Sequence, residues 1–309
     1  MRGLHPRMWL QISRETGEIF PGFKPRLQRN FQKINLQTKG KPMFNAQELK
    51  NRLNTVRCFA IDLDGTIFLG DSLFDCTLPF LEKIFASRRR YIFVTNNSSL
   101  APEAFLEKFR AMGLREQRDR LYTSADATAE YLLTYGPGHR LCVLGTDSLI
   151  RFFEQKGFLI EPDEPDALVL GFDLDFDYSR LLHATRLVRR GVPFFATHPD
   201  MNCPVENGDF LPDCGAIAAA ITAATGVGPK FFGKPYPAMI EGILERTGVE
   251  RSELAIIGDR LSTDILMGMN SDVLTILVLT GETRLCDLQS TKIRPNFVVP
   301  SLADLIDLL

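Results

Sequence analysis

The 309-residue sequence lacks several features that would point to other classes of protein. None of its six cysteines form a C-x-x-C pair, so neither a zinc site nor a thioredoxin-like motif is indicated. No G-x-G-x-x-G follows a first strand, which disfavours a nicotinamide-binding protein. The net charge of −2 provides no overall basic field for nucleic acid. No apolar run is long enough to cross a membrane.

The charge that is present is unevenly placed. Residues 1–42 contain nine Lys or Arg and two acids, together with the only tryptophan, so the rest of the chain is acidic. A basic, acid-poor leader is typical of some targeting segments. The alternative is a flexible or non-native extension before a start at Met43, and we expect an N-terminal extension over residues 1–55, disordered or non-native. Cys58 and Cys142 lie in apolar, strand-like runs, and such positions favour buried thiols in a reducing compartment, so we expect a cytoplasmic protein.

From residue 56 onwards, short apolar runs alternate with amphipathic stretches. This alternation predicts an α/β fold with a doubly wound, Rossmann-like parallel sheet. The first group of predicted strands is 56–62, 90–95, 121–124, 253–257, 273–279 and 297–299. The second group is 141–145, 167–171 and 193–197. We therefore expect a discontinuous core domain, residues 56–125 and 211–309, interrupted by an α/β domain at residues 126–210.

Two acids separated by one residue follow the first apolar strand. They are Asp62 and Asp64 in the segment Asp-Leu-Asp-Gly-Thr, where Gly65 allows a sharp turn. Ligands bind at the carboxyl ends of strands in open α/β sheets. Two nearby carboxylates can differ in protonation, so one can act as a nucleophile and the other as an acid or base. Taken alone, the short acidic segment fits a solvated acidic turn better than a catalytic site.

Polar residues follow other predicted strands as well. Thr95 and Asn96 offer a hydroxyl and backbone N–H groups that can hold phosphoryl oxygens. Lys234 precedes a helix, and Asp259 and Asp264 follow a late strand. Each has an ordinary alternative, such as a helix cap or a favourable charge at a helix start. Their combination in this order predicts one pocket, and its hard oxygen ligands suit Mg²⁺.

These motifs together resemble the four motifs of the haloacid dehalogenase-like (HAD) hydrolase superfamily. The resemblance covers about residues 56–309. The long insertion resembles the C2-type cap of subfamily IIA, the NagD-type phosphatases. Two segments are similar to sequence motifs of that subfamily: Thr-His-Pro-Asp at 197–200 and Gly-Asp-Arg-Leu-Ser-Thr-Asp-Ile at 258–265. The resemblance implies a phosphoric monoester hydrolase acting on small organic phosphates, with sugar phosphates or nucleoside monophosphates preferred.

The resemblance also implies a role for each matching residue. Asp62 would attack phosphorus and become an aspartyl phosphate. Asp64 would protonate the leaving alcohol and then take a proton from the hydrolytic water. The remaining implied roles are phosphate binding by Thr95, Asn96 and Lys234, Mg²⁺ binding by Asp62, the Asp64 carbonyl and Asp259, and support of metal waters or Lys234 by Asp264.

Loops of the predicted cap provide candidate specificity residues. By resemblance these are Phe172, Asp173, Asp200, Cys203 and Pro204. Relatives that prefer aromatic cofactor phosphates carry His where Cys203 stands, which weakens the case for pyridoxal phosphate. The alternative is that these residues only shape their loops. We expect His198 to be a loop histidine with its hydrogen bonds satisfied.

Two functional alternatives remain open. One is a catalytically idle regulator that binds a phosphorylated ligand, and the other is a phosphotransferase of the same superfamily. The expected partner is a small phosphorylated metabolite, with neither nucleic acid nor membrane involved. By analogy, a homodimer through the cap is a further option.

Overall fold

The structure is a computed structural model that describes residues 44–204 and 209–309. Most of the predicted N-terminal extension, including the nine basic residues of segment 1–42 and Met43, therefore lies outside the described residues. Within residues 44–55 the structure corrects the expectation of a disordered segment. Helix α1, Ala46–Leu53, begins at Asn45, whose side chain accepts a hydrogen bond from the Glu48 N–H. Leu49 and Leu53, four residues apart on one helix face, are fully buried in the main core.

The remaining helices and the strands alternate along the chain. The strands are β1 Cys58–Asp62, β2 Phe68–Leu69, β3 Ser72–Leu73, β4 Arg90–Thr95, β5 Leu121–Thr123, β6 Arg140–Leu144, β7 Leu159–Ile160, β8 Ala167–Leu170, β9 Phe194–Ala196, β10 Asn202–Pro204, β11 Phe210–Pro212, β12 Lys230–Phe231, β13 Leu254–Gly258, β14 Leu274–Val278 and β15 Phe297–Val299. The helices after α1 are α2 Thr77–Ala86, α3 Pro102–Ala111, α4 Ser124–Tyr135, α5 Asp147–Gln155, α6 Tyr178–Arg189, α7 Cys214–Thr225, α8 Pro237–Thr247, α9 Leu266–Asn270, α10 Asp287–Ser290 and α11 Ala303–Ile306.

The main sheet has six parallel strands in the order β15-β14-β13-β1-β4-β5. Strand β1 is buried on both faces: Phe59 and Ile61 face one apolar cluster, while Cys58 and Ala60 face another. Such two-sided burial is the reason why the parallel strands read as continuous apolar runs. The chain continues to one side of β1 through β4 and to the other side through β13, so the carboxyl end of β1 lies at the topological switch point.

A second parallel sheet has the order β12-β9-β8-β6-β7. Helices α6 and α7 pack on one of its faces, and α4 and α5 pack on the other. The predicted insertion, 126–210, is shorter than the part of the chain that builds this sheet. Helix α7 and strand β12 pack with the second sheet because the apolar residues Ile217, Ala218 and Ile221 face its strands. The division of the chain into two domains itself stays a prediction.

The α/β fold class with parallel sheets is confirmed. Each predicted strand is present with its ends within two residues of those expected. The pattern did not reveal the antiparallel hairpins β2–β3 and β10–β11 or the short edge strands β7 and β12. Among the described residues, no helix combines the length and apolar character that a membrane crossing requires.

Candidate active site

Three carboxylates and one ammonium group meet at the carboxyl end of β1. Asp62 ends β1, Asp259 directly follows β13, and Asp264 lies in a π-helical turn, Leu261–Ile265. Their carboxylate oxygens lie within 4.8 Å of one another. Lys234 Nζ donates hydrogen bonds to Asp62 Oδ1 and, at 2.8 Å, to Asp264 Oδ1. The four predicted side chains therefore form one buried cluster.

Glycines allow these acids to lie so close to the strand ends. A Cβ at Gly258 would come within 2.3 Å of Asp264 Cγ, so any side chain there would displace that acid. A Cβ at Gly281 would come within 1.9 Å of Asp259 Oδ2. Gly65 has a φ of +83°, a backbone conformation that favours glycine, and a Cβ there would also contact Asp259.

Asp259 has an unsatisfied oxygen. Its Oδ2 accepts a 2.5 Å hydrogen bond from the Glu282 N–H, whereas its buried Oδ1 has no partner within the described ranges. Burial and the neighbouring negative charge of Asp62 raise the pKa of Asp259 well above its usual range. A buried carboxylate oxygen without a donor is costly for the protein by itself. It fits a cation, and a set of hard carboxylate oxygens suits Mg²⁺.

The charges within the cluster are unbalanced. Burial alone would lower the pKa of Lys234, but the charges of Asp264 and Asp62 outweigh it and raise that pKa above the usual lysine range. Burial raises the pKa of Asp264, and Lys234 offsets part of this effect. Arg260, the next cation, forms an ion pair with Glu282 at 3.2 Å. Lys234 remains charged but pairs with only two of the three acids, Asp62 and Asp264, so the ionised acids would outnumber its ammonium group and a further cation could offset them.

Asp64 lies two residues beyond Asp62 in a different environment. Its side chain is accessible to solvent, although the surrounding protein raises its pKa by desolvation against the attraction of nearby cations. A raised pKa keeps a carboxyl group protonated closer to neutral pH, as a general acid requires. The turn that places it is closed by a 2.8 Å hydrogen bond from the Gly65 N–H to the Phe68 carbonyl.

The two predicted phosphate-binding residues lie at the carboxyl end of β4, whose Val94 pairs with Asp62. Thr95 is buried, and its Oγ1 accepts a 3.1 Å hydrogen bond from the Asn97 N–H. The Asn96 Oδ1 accepts a 2.7 Å hydrogen bond from the Lys234 N–H. Its Nδ2 donates to the Lys234 carbonyl at 2.9 Å and to Asp200 Oδ2 at 3.1 Å. Asn96 therefore links Lys234 to a loop of the second sheet.

The predicted specificity residues separate into two sets. Asp200 contacts Asn96, and the half-buried Cys203 lies near Asp213, Asp64 and Arg260, with burial raising the pKa of its thiol to about 11. Pro204 belongs to the hairpin strand β10.

Phe172 and Asp173 make other contacts. The Phe172 N–H donates to Ser98 Oγ at 3.0 Å, and Asp173 accepts two hydrogen bonds from Arg180, at 2.5 and 2.7 Å. The described contacts thus use Asp173 in an ion pair of the second sheet and do not bring it to the acid cluster.

His198 has both ring nitrogens satisfied, as expected. Nδ1 lies 2.8 Å from Thr197 Oγ1, and Nε2 lies 3.0 Å from Asp213 Oδ1. Sequence reasoning missed Arg260 and Glu282. Arg260 lies inside the predicted Asp259–Asp264 motif, so its position offered a signal, whereas Glu282 contributes its backbone N–H to Asp259, which no side-chain pattern reveals.

Two family models match the chain. A haloacid dehalogenase-like hydrolase model matches residues 59–159, which include the first acid motif and Thr95. A HAD-hydrolase-like model matches residues 231–305, which include Lys234, Asp259 and Asp264. The residues that form the cluster thus lie in the matched segments.

Proteins of known sequence or structure resemble the chain over most of its length. The acid sugar phosphatase of Staphylococcus aureus (strain MRSA252) is 37% identical over 251 residues, which cover 81% of this chain and 96% of that protein. The structure of the 4-nitrophenylphosphatase of Thermotoga maritima is similar with a TM-score of 0.80 at 42% identity, covering 83% of this chain and 98% of that one. NagD from E. coli K-12 has a TM-score of 0.76 at 31% identity, covering 82% and 99%.

Proposed function

The chain belongs to the haloacid dehalogenase-like hydrolases of subfamily IIA, the NagD type, and we propose that it is a Mg²⁺-dependent phosphatase that forms an aspartyl phosphate on Asp62. The relatives support a phosphoric monoester hydrolase. The observation that carries the proposal is the position of Lys234 Nζ between Asp62 and Asp264, together with the neighbouring Asp259, whose Oδ1 has no partner among the described residues. That arrangement offers a nucleophile, an offsetting cation and a cation-binding oxygen in one pocket.

In the first step, an Asp62 carboxylate oxygen attacks phosphorus, and the bond between phosphorus and the leaving oxygen breaks. Asp64 donates its proton to that leaving oxygen, which departs as an alcohol. In the second step, Asp64 takes a proton from water, the water oxygen attacks phosphorus, and the Asp62 carboxylate and inorganic phosphate are released. The raised pKa and the solvent access of Asp64 suit both transfers.

Charge is the main obstacle to this reaction, because an anionic nucleophile approaches an anionic ester. Lys234 offsets charge on Asp62 and on the transferring phosphoryl group, while Thr95 and the Asn96 N–H hold phosphoryl oxygens. When held by Asp62, the Asp64 carbonyl and Asp259, Mg²⁺ would supply the further positive charge that this chemistry requires. Asp264 fixes the Lys234 ammonium through its 2.8 Å hydrogen bond.

The proposed substrate is a small phosphorylated metabolite. A sugar phosphate is the first choice because the curated relative with 37% identity is named an acid sugar phosphatase, and a nucleoside monophosphate is the second. Asp200 and Cys203 follow β9, and both lie near Arg260; Cys203 also lies near Asp64, where the leaving group would depart. A carboxylate there can accept hydrogen bonds from hydroxyl groups of a sugar.

Phosphate release from p-nitrophenyl phosphate tests the proposal. We expect turnover by the parent with Mg²⁺, loss of turnover with chelator, and a fall of about 10³-fold or more in Asp62→Asn, because the amide cannot act as the nucleophile. The matched control is Asp75→Asn. Asp75 is an exposed acid in the predicted core segment 56–125, so this variant should behave like the parent. Peptide mapping of the acid-quenched parent should find one phosphoryl group on the peptide that contains Asp62.

The same assay separates the alternatives. A folded parent that releases no phosphate from p-nitrophenyl phosphate or from a panel of sugar phosphates and nucleotides would favour a regulator that binds a phosphorylated ligand. Transfer of the phosphoryl group to an added alcohol, without release of free phosphate, would favour a phosphotransferase. An Asp62→Asn variant that retained full activity would contradict the mechanism directly.

A further inference from the structure

The side-chain amide of Asn96 uses its oxygen and both amide hydrogens within the protein. Its Oδ1 and Nδ2 contact the N–H and the carbonyl of Lys234, at 2.7 and 2.9 Å. The second hydrogen of Nδ2 goes to Asp200 Oδ2 at 3.1 Å. Because the first two bonds fix the Lys234 peptide on both sides, the amide determines where the Lys234 side chain starts. Three such bonds also leave the amide no free hydrogen for a substrate.

The segment that carries Lys234 is packed closely against Asn96 and the end of β9. The Gly233 N–H donates a 2.6 Å hydrogen bond to the Thr197 carbonyl at the end of β9. A Cβ on Gly233 would come within 2.6 Å of Asn96 Oδ1 and within 2.8 Å of both the His198 Cβ and the Thr197 carbonyl. The Lys234 backbone is therefore held between Asn96, which follows a strand of the main sheet, and the end of a strand of the second sheet.

Asp200 is anchored to the second sheet. Its carbonyl accepts a 2.8 Å hydrogen bond from the Gly215 N–H in the first turn of α7. The neighbouring Met201 carbonyl accepts a 3.0 Å hydrogen bond from the Asp213 N–H. From this position the Asp200 carboxylate accepts the hydrogen bond from Asn96, which follows a strand of the main sheet. A shift of the Asp200 loop away from the main sheet would break the bond to Asn96 but leave the pairing between Asn96 and Lys234.

We propose that the Asn96 side chain is a positioning residue for Lys234 and that Asp200 is the second-sheet residue that holds this side chain in place. The proposal rests on the proposed phosphatase function, in which Lys234 offsets charge on Asp62. It assigns to the Asn96 amide a role that differs from phosphate binding by its backbone N–H. Through the Asp200 contact, the position of the second sheet determines how well Lys234 is placed.

Steady-state kinetics with p-nitrophenyl phosphate test this assignment. In Asn96→Ala the backbone N–H remains, so KM should change by less than about threefold, whereas kcat should fall by about 10²-fold because the ammonium is misplaced. Asp200→Ala should lower kcat by about tenfold. Asp200→Asn should restore most of it, because an amide oxygen accepts the same hydrogen bond. Asn97→Ala, the adjacent asparagine, is the matched control and should retain kcat within about threefold.

Thermal unfolding of the same variants gives a readout that does not depend on activity. The contact predicts that the shifts in melting temperature of Asn96→Ala and Asp200→Ala add to more than the shift of the double variant. If the parent is inactive but the shifts are coupled in this way, the proposed function fails and the contact survives. An Asp200→Asn variant as impaired as Asp200→Ala, or an Asn96→Ala variant changed only in KM, would overturn the positioning role.

Discussion

Two clusters of buried carboxylates can be compared within this molecule. At the carboxyl end of the main sheet, Asp62 and Asp264 share the ammonium group of Lys234, and Asp259 lies beside these two acids. At the start of α4, Asp126 is fully buried and faces three cations: Arg118, Lys156 at 3.7 Å and Arg246 at 3.3 Å. Acids outnumber cations in the first cluster, and cations outnumber acids in the second.

The second cluster is satisfied by the protein alone. Asp126 Oδ2 accepts hydrogen bonds from the Thr123 N–H and Oγ1, at 3.1 and 2.8 Å, in a capping box of α4. Its three cations remain 24–32% exposed and keep part of their hydration, while Arg246 also pairs with Glu130 at 2.7 Å. In contrast, Asp259 Oδ1 has no partner among the described residues.

The difference distinguishes a structural carboxylate from one that we propose to bind a cation. A protein that only needs a buried acid for stability surrounds it with donors, because an unpaired buried charge is expensive. A surplus of negative charge at a strand end is typical of a site where a ligand offsets it. The matched substitution of Asp by Asn should therefore have opposite effects on stability in the two clusters.

The largest effect is expected for Asp259→Asn. Activity should fall by at least about 10²-fold, because a proposed metal ligand is lost. With chelator at pH 8 the variant should nevertheless be more stable than the parent by about 1 kcal/mol, since the amide oxygen can still accept the Glu282 N–H without a buried charge. Phosphate-release kinetics check the loss of activity. Thermal unfolding with chelator and with Mg²⁺ checks the stability, and Mg²⁺ should stabilise the parent only.

The gain in stability expected for Asp259→Asn should increase with pH. The pKa of Asp259 is raised in the folded protein, so the folded state binds its proton more tightly than the unfolded chain. The parent with chelator should therefore lose stability relative to Asp259→Asn as the pH rises from the unfolded pKa through the folded one. A variant that is less stable than the parent at pH 8 would remove the distinction between the two clusters.

A smaller effect, on stability alone, is expected for Asp126→Asn. The amide cannot offset three cations, and its NH₂ group faces either the guanidinium groups or the Thr123 donors. We expect the free energy of unfolding to fall by about 2 kcal/mol, with activity per folded molecule unchanged. Glu130→Gln, in the same cluster but more exposed, should cost less than about 1 kcal/mol. Urea unfolding measures the stability of the parent and the two variants, and active-site titration measures their activity per folded molecule. A folded Asp126→Asn variant that has lost activity would contradict the purely structural role of Asp126.

The sequence predicted the first cluster better than the second for a physical reason. Parallel strands end with, or are directly followed by, Asp62, Asp259 and Thr95. The carboxyl ends of such strands meet at one edge of the sheet, and this does not depend on the conformation of the loops. Asp126 receives Arg246 from α8, which is remote in sequence, and ordinary arginines and lysines on helices have no distinctive spacing. The side-chain contacts of Asn96 were likewise hidden, because a turn asparagine usually caps its own loop.

The limit of the second sheet was misplaced for a similar reason. Residues 215–226 are small and apolar, and they fall in segment 211–309, which we expected to belong to the core domain. A helix of such residues packs equally well on either sheet, so composition alone could not choose between them. The structure places α7 against the second sheet through Ile217 and Ile221, and the two-residue strand β12 then extends that sheet. A strand of that length carries too few residues to show an alternating pattern.

The smallest effect is expected where one acid meets one cation at the surface. Asp166 accepts hydrogen bonds from the Arg140 N–H at 2.9 Å and from its Nη2 at 2.7 Å, and these bonds lower the pKa of Asp166. Asp166→Asn should lower the melting temperature by only roughly 1–2 °C at pH 7, since exposed ion pairs contribute little to stability. Because the folded pKa is depressed, this difference is present above the unfolded pKa and should vanish as the pH falls through the folded one. Melting curves at pH 7 and pH 3 measure it; a shift as large as that of Asp126→Asn would mean that burial and the surrounding cations do not distinguish the structural acids.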